Sequence, residues 1–256
     1  MRIHPLVFSV LAGSLLFGCA YESGDTAAVA DDVSGDDSSL VGGKLTFERP
    51  EIGRITTRAG KACTATLIAD NVIVTAAHCF DWQTKDTPGT WIGRFFIERS
   101  ANDLNVFTFD AIISYTSSGK LGEDDVAVAR LMRHIPSTLA VPATLATSTP
   151  TDASNTPVTI YGFGCQNRPD GNGNPSTKPE PNLGEKQKRE FPMGPIRWTC
   201  PGDSGGPTSI TKTGAIFRVS SMLYYTEFFG IGAPDDFGNL VKRRSTILAQ
   251  VAKWKS

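Results

Sequence analysis

Apolar residues in this chain gather in short runs broken by Gly, Pro, Asn and Asp, and only the C-terminal stretch carries a helical period. Runs rich in Val, Ile, Thr and Phe between such breakers read as β-strands, because branched and aromatic side chains suit a pleated, half-buried surface. Strands are therefore predicted over Cys63–Ile68, Val72–Thr75, Trp91–Glu98, Val106–Tyr115, Val126–Met132, Val158–Phe163, Lys186–Phe191 and Ala215–Leu223. Many short strands separated by turn signals make an all-β body, a sandwich or a barrel. Segment 133–157 holds Pro136, Pro142, Pro150 and Pro157 and reads as a connection between two halves. At the end of the chain Leu240, Val241, Ile247, Leu248, Val251 and Trp254 recur at helical spacing with Lys and Arg between them. That pattern predicts an amphipathic helix, about 239–254, docked on the body.

The first residues read as an address. Arg2 precedes an apolar run, Leu6 to Phe17, and small residues follow at Gly18-Cys19-Ala20. This is the shape of a secretory signal peptide over residues 1–19, too short to span a bilayer as a mature helix. A buried N-terminal helix is the alternative; the coincidence of basic start, apolar run and small-residue end favours the signal. Residues 20–39 then read as a disordered acidic linker or pro-segment, with six acidic residues and no Lys or Arg. Such a stretch buries too little apolar surface to repay its ordering entropy. Residues 40–256 have globular composition, enough for one large all-β unit or two small ones.

Charge changes the picture only slightly. The net charge is −1, yet only Arg2 of the 25 basic residues and six of the 26 acidic ones precede Leu40, so the body carries 24 against 20. So mild an excess, without a basic stripe among aromatics, gives no reason to expect a nucleic-acid partner. Of five cysteines, Cys19 lies in the signal segment and Cys63, Cys79, Cys165 and Cys200 remain in the body. Export favours disulfides, and four cysteines leave three pairings open. No CxxC or HxxxH spacing is present, so neither a metal nor another cofactor is expected. The piece Asp170-Gly171-Asn172-Gly173-Asn174 imitates the start of a calcium loop, but Pro175 and Pro181 stand where that loop needs Gly and Glu. It reads as a solvated turn.

Three segments carry chemistry. In Cys200-Pro201-Gly202-Asp203-Ser204-Gly205-Gly206-Pro207, glycines around Ser204 would expose a hydroxyl on a tight turn and free backbone N–H groups for a developing oxyanion. In Thr75-Ala76-Ala77-His78-Cys79, His78 follows the run Val72-Ile73-Val74 at a strand end, and imidazole is the side chain best poised for base work near neutral pH. The body's other histidine, His134, has no motif around it. In Glu123-Asp124-Asp125-Val126, Asp125 adjoins the apolar run and would be carried inward to orient an imidazole, while Glu123 and Asp124 suit a solvated turn.

Taken together, in the order His, Asp, Ser, these segments resemble the chymotrypsin-like (trypsin-like) serine proteases, and the likeness runs from about Leu40 to the C-terminal helix. The resemblance implies two six-stranded antiparallel β-barrels, about 40–140 and 141–238, followed by the C-terminal helix. It implies His78, Asp125 and Ser204 as a catalytic triad, and the N–H groups of Gly202 and Ser204 as an oxyanion hole. Ser220, in Val219-Ser220-Ser221, resembles the serine that supports the family's buried aspartate. Leu40-Val41-Gly42-Gly43 resembles the N-terminus that zymogens of the family expose, so a freed Leu40 amine would pair with Asp203. Gly162-Phe163-Gly164 resembles the family's Gly-Trp-Gly. Cys63–Cys79 matches the disulfide beside the family's histidine, and Cys165–Cys200 is the bridge that the likeness leaves for the remaining pair.

The departures bear on substrate choice. Trp198 stands at the place of the pocket floor, and Ser221-Met222 where the family often has Trp-Gly; with Ser220 these residues imply a narrowed pocket, suited to small or medium apolar side chains rather than Lys or Arg. Leu16-Phe17-Gly18-Cys19 resembles a bacterial lipoprotein box, and cleavage after Ala20 is the rival reading. The reading is then an exported serine endopeptidase, secreted, periplasmic or an outer-membrane lipoprotein anchored through Cys19. It is made as a zymogen, cut before Leu40 by an activating protease, and acts as a monomer on protein or peptide substrates. The competing readings are a non-catalytic binding protein on the same fold and a different hydrolase, such as an esterase, with the same triad.

Overall fold

The computed structural model describes residue 40 and residues 43–116, 119–151, 154–164, 185–194, 199, 201–222 and 236–255. All of them belong to one compact unit, Gly35–Ser256. In chain order the strands are β1 (Lys44–Leu45), β2 (Ile52–Thr57), β3 (Ala62–Ala69), β4 (Val72–Thr75), β5 (Lys85–Asp86), β6 (Gly93–Ser100), β7 (Asp103–Ser114), β8 (Ala127–Leu131), β9 (Pro157–Gly162), β10 (Gln187–Pro192), β11 (Pro207–Ile210), β12 (Ile216–Met222) and β13 (Asp236–Asn239). A short 3-10 helix, Ala77–Phe80, follows β4, and α1 (Leu240–Lys255) ends the chain.

The N-terminal strands form an antiparallel sheet ordered β5-β7-β6-β2-β3-β4-β8, and a further pairing of β7 with β8 closes six of them into a barrel. Alternation decides what each strand buries. In β4 the side chain of Ile73 enters the barrel core with Ile55, Leu67, Phe95 and Phe109. Val72 and Val74 face the other way and join Val126, Val128, Ile216 and Val219 under the C-terminal helix. Both faces of β4 are therefore covered, which is why it reads as an unbroken apolar run.

The second half is a six-stranded antiparallel sheet ordered β1-β10-β9-β11-β12-β13. It has the expected strand number, but the pairings among the described residues leave β1 and β13 unjoined, so here it is an open sheet. The predicted connection 133–157 straps the halves together. Ala143 N donates to Leu67 O at 2.8 Å, and Ala146 N donates to Ile216 O at 2.9 Å. Leu240, Ile247 and Val251 are the buried face of α1, and Asn239 Oδ1 accepts from Lys242 N at 3.0 Å, capping the first turn.

Lys186, just before β10, is fully buried where the halves meet. Its Nζ donates to Arg49 O at 2.9 Å and to Ile52 O at 3.2 Å, joining the second sheet to the start of β2. Burial pulls its pKa from the usual 10.5 down to about 8, against the opposing pull of Glu51 and Glu98.

Candidate active site

Strand register sets the first two groups side by side. Thr75, the last residue of β4, pairs with Ala127, the first of β8. His78 follows three residues after Thr75 on the 3-10 turn, and Asp125 precedes Ala127 by two, so both emerge at the same end of neighbouring strands. The Cys63–Cys79 disulfide ties the His78 turn to β3. Asp125 is fully buried, whereas the His78 side chain is 21% exposed.

Asp125 grips His78 twice: His78 Nδ1 donates to Oδ2 at 2.6 Å, and the His78 backbone N–H donates to Oδ1 at 2.8 Å. This fixes both the ring and the turn that carries it, and leaves the lone pair on Nε2. A third donor reaches the same carboxylate. Ser221 Oγ donates to Asp125 Oδ2 at 2.5 Å and accepts from Gly122 N at 2.8 Å. The supporting serine is thus Ser221 and not Ser220, a correction to the sequence reading. Adjacent side chains on a strand point to opposite faces, and a register shift between Ser220 and Met222 accompanies the change. Ser220 Oγ is buried and has no hydrogen-bond partner among the described residues.

The turn that delivers Asp125 is clamped from outside. Asn239 N donates to Glu123 O at 2.8 Å, Lys242 pairs with Glu123 at 3.0 Å, and Arg243 pairs with Asp124 at 2.8 Å. Hydrogen bonding from Lys242, with Arg243 in support, holds the Asp124 carboxyl below its ordinary range.

Ser204 is nearly buried on a turn ahead of β11. Thr64 of β3 fastens that turn to the barrel: its N–H donates to Ser204 O at 2.8 Å and its Oγ1 to Gly202 O at 2.8 Å. Gly205 N donates to Ser220 O at 2.7 Å. Gly205 has φ +80°, and a Cβ there would sit 1.9 Å from Thr75 Oγ1, so only glycine allows the turn to lie this close to β4. Among the described residues the N–H groups of Gly202 and Ser204 donate to no internal acceptor. No hydrogen bond joins Ser204 Oγ to His78 Nε2 among those residues either; such bonds are often long in a substrate-free site and tighten on binding.

Asp203 is fully buried. Its Oδ1 accepts from Gly164 N at 2.8 Å, and a Cβ on Gly162 would lie 1.9 Å from the same oxygen. The Gly-Phe-Gly segment therefore makes room for this carboxylate. Leu40 is buried against Val158, Ile160, Phe191 and Phe217, and its backbone N donates to Gln187 Oε1 at 3.3 Å. Trp198, Cys165 and Cys200 lie outside the described residues, as does the Met222 side chain, and the predicted second disulfide and pocket floor lie there with them.

Cys79 Sγ lies 3.8 Å from Ser204 O and 4.0 Å from His78 Nε2. A disulfide sulfur has no proton to donate, so these are contacts and not hydrogen bonds.

Comparison with known families agrees with this geometry: the family model described as Trypsin matches residues 41–224. The chain belongs to the trypsin family. Among solved structures, human heparin binding protein is similar at 19% identity and a TM-score of 0.59, covering 82% of this chain and 96% of that one. At that identity the likeness shows the fold, which is the chymotrypsin-like one. No curated protein sequence matches the chain. Motifs single out His78, Asp125 and Ser204 in the sequence; no motif points to Thr64, and Ser221 is read there only as part of the pocket. Thr64 has a signal only in hindsight, its place directly after Cys63.

Proposed function

We propose that this trypsin-family chain is a serine endopeptidase acting through an acyl-enzyme. The observation that carries the reading is the double grip of buried Asp125 on His78, reinforced by Ser221. A carboxylate placed so holds the proton on Nδ1 and stabilises the imidazolium that forms when Nε2 accepts a proton. Ser204 Oγ then attacks the scissile carbonyl as His78 takes its proton. The N–H groups of Gly202 and Ser204, which have no internal acceptor among the described residues, receive the oxyanion. His78 returns the proton to the leaving amine, and water repeats the cycle on the ester.

Cleavage before Leu40 would give an ammonium group that pairs with Asp203 and orders the oxyanion loop. The burial of Leu40 and of the Asp203 carboxylate supports that pairing. The sequence likeness assigns the specificity pocket to Trp198, Ser220 and Met222, and small or medium apolar side chains suit that set. Export follows from residues 1–20, with Cys19 as the lipid attachment point of a membrane-anchored form. Among the described residues no helix is long and apolar enough to cross a membrane.

The test is hydrolysis of an unfolded protein by the chain engineered to begin at Leu40. New peptides with defined ends, absent from a Ser204→Ala preparation, are expected. Hydrolysis of small esters without any protein cleavage would favour an esterase, and no turnover of either would favour a binding protein.

A further inference from the structure

Beside the proposed catalytic centre lies a second donor set. Among the described residues, Cys63, His78 and Cys79 bring one ligand atom each within 4.8 Å of one another. In the oxidised chain the two sulfurs are bonded to each other and offer no thiolate. We propose that reduction of this disulfide creates a zinc site from the Cys63 and Cys79 thiolates and His78 Nε2, and that the bound metal withdraws the imidazole from hydrolysis.

Three features support the site. Zinc favours a tetrahedron of sulfur and nitrogen ligands whose bond lengths, about 2.0 to 2.3 Å, set neighbouring ligand atoms about 3.6 to 3.8 Å apart. Cys79 Sγ is already 4.0 Å from Nε2, and the 6.3 Å between the two cysteine Cα atoms lets the sulfurs swing apart to share a metal. Metal-binding histidines almost always donate their other ring N–H to an outer partner, often a carboxylate, which fixes the tautomer and raises ligand basicity. Asp125 Oδ2 stands 2.6 Å from Nδ1 and does this here. Finally, the sulfurs are buried, with Cys63 5% and Cys79 0% exposed, while His78 is 21% exposed and opens the path from solvent. A solvent water, reaching the metal past His78, completes the tetrahedron.

The chemistry balances. A phosphine or a dithiol supplies two electrons, and two protons complete the thiols. Zn2+ then displaces both thiol protons to solvent, while His78 contributes the Nε2 lone pair and keeps its proton on Nδ1. Metal binding stands or falls separately from the hydrolase reading, whereas its effect on hydrolysis rests on that reading, since both use His78.

The full chain, reduced with a phosphine in the absence of oxygen, is titrated with Co2+, whose thiolate complexes absorb in the near ultraviolet. The expected result is one saturable equivalent of thiolate–cobalt absorption that Zn2+ displaces, that the oxidised chain lacks, and that Cys79→Ser removes. His78→Ala should weaken this binding, and Asp125→Asn should weaken it about ten- to hundredfold. Absorption indifferent to Cys79→Ser, or an affinity indifferent to His78→Ala, would overturn the proposal. So would far-ultraviolet circular dichroism showing that the reduced chain has unfolded. Fluorophosphonate labelling of the oxidised chain engineered to begin at Leu40 is read in parallel: labelling there without cobalt binding after reduction removes the metal site alone. Cobalt binding without labelling sustains it and counts against the hydrolase.

Discussion

Three donors converge on the Asp125 carboxylate, and the last of them, Ser221 Oγ, is the most informative. A hydrogen bond to a charged group contributes about 1.5 to 3 kcal/mol. If it helps hold Asp125 in its productive position, Ser221→Ala should slow fluorophosphonate labelling of Ser204 by about tenfold or more. Ser220→Ala removes a buried hydroxyl with no partner among the described residues and should leave labelling within about twofold. Equal effects of the two substitutions would show that Ser221 does not support Asp125 in preference to Ser220. His78, Asp125 and Ser204 were legible in the sequence because each stands inside a local motif. Ser221 was not, because two adjacent serines look alike until the strand assigns them opposite faces. Thr64 was not legible either, since its bond to Gly202 spans 138 residues.

At the scale of elements, α1 does more than cover a core. Its first turn holds the Glu123–Asp124 turn through Lys242 and Arg243, and that turn delivers Asp125. These pairs are largely exposed, so their effect on stability is small. The combined substitution Lys242→Ala/Arg243→Ala should therefore hardly move the unfolding midpoint and still slow Ser204 labelling several-fold. High salt should slow the wild type toward the variant, since screening weakens the same pairs. A variant labelled at the wild-type rate at low salt would show that the clamp is dispensable. The helix was legible from its period, and the long strands from their branched runs. The short strands β1, β5 and β13 were missed, and so were β2 and β11. Ile52–Thr57 has only two large apolar residues, and Pro207–Ile210 begins with proline and buries Thr208 and Ser209, side chains that carry no apolar signal.

The whole molecule depends on a junction between a closed barrel and a second sheet, and Lys186 sits in it. Its folded pKa, about 8, is below the usual 10.5. Between those values the unfolded chain binds the extra proton and the folded chain does not, so stability rises with pH across that window. Below about pH 8 both states are protonated and the folded state bears the full cost of the buried charge. Lys186→Met loses two hydrogen bonds to backbone carbonyls and should be less stable near neutrality. The gap from wild type should widen from pH 8 to 10.5, where the wild type gains stability that the variant lacks. Denaturant curves that stay parallel across this range would show that Lys186 keeps an ordinary pKa. A buried lysine at such a junction was not legible, because Lys186 opens its strand as a polar residue commonly does at an exposed end.

The central claim is a working triad centred on Ser204. The chain engineered to begin at Leu40 is incubated with a fluorophosphonate probe beside its Ser204→Ala counterpart, and the adduct is mapped by mass spectrometry. The predicted result is a single adduct on Ser204, absent from the variant. A folded chain with a free Leu40 amine that takes up no probe, or takes it up equally after Ser204→Ala, would contradict the account.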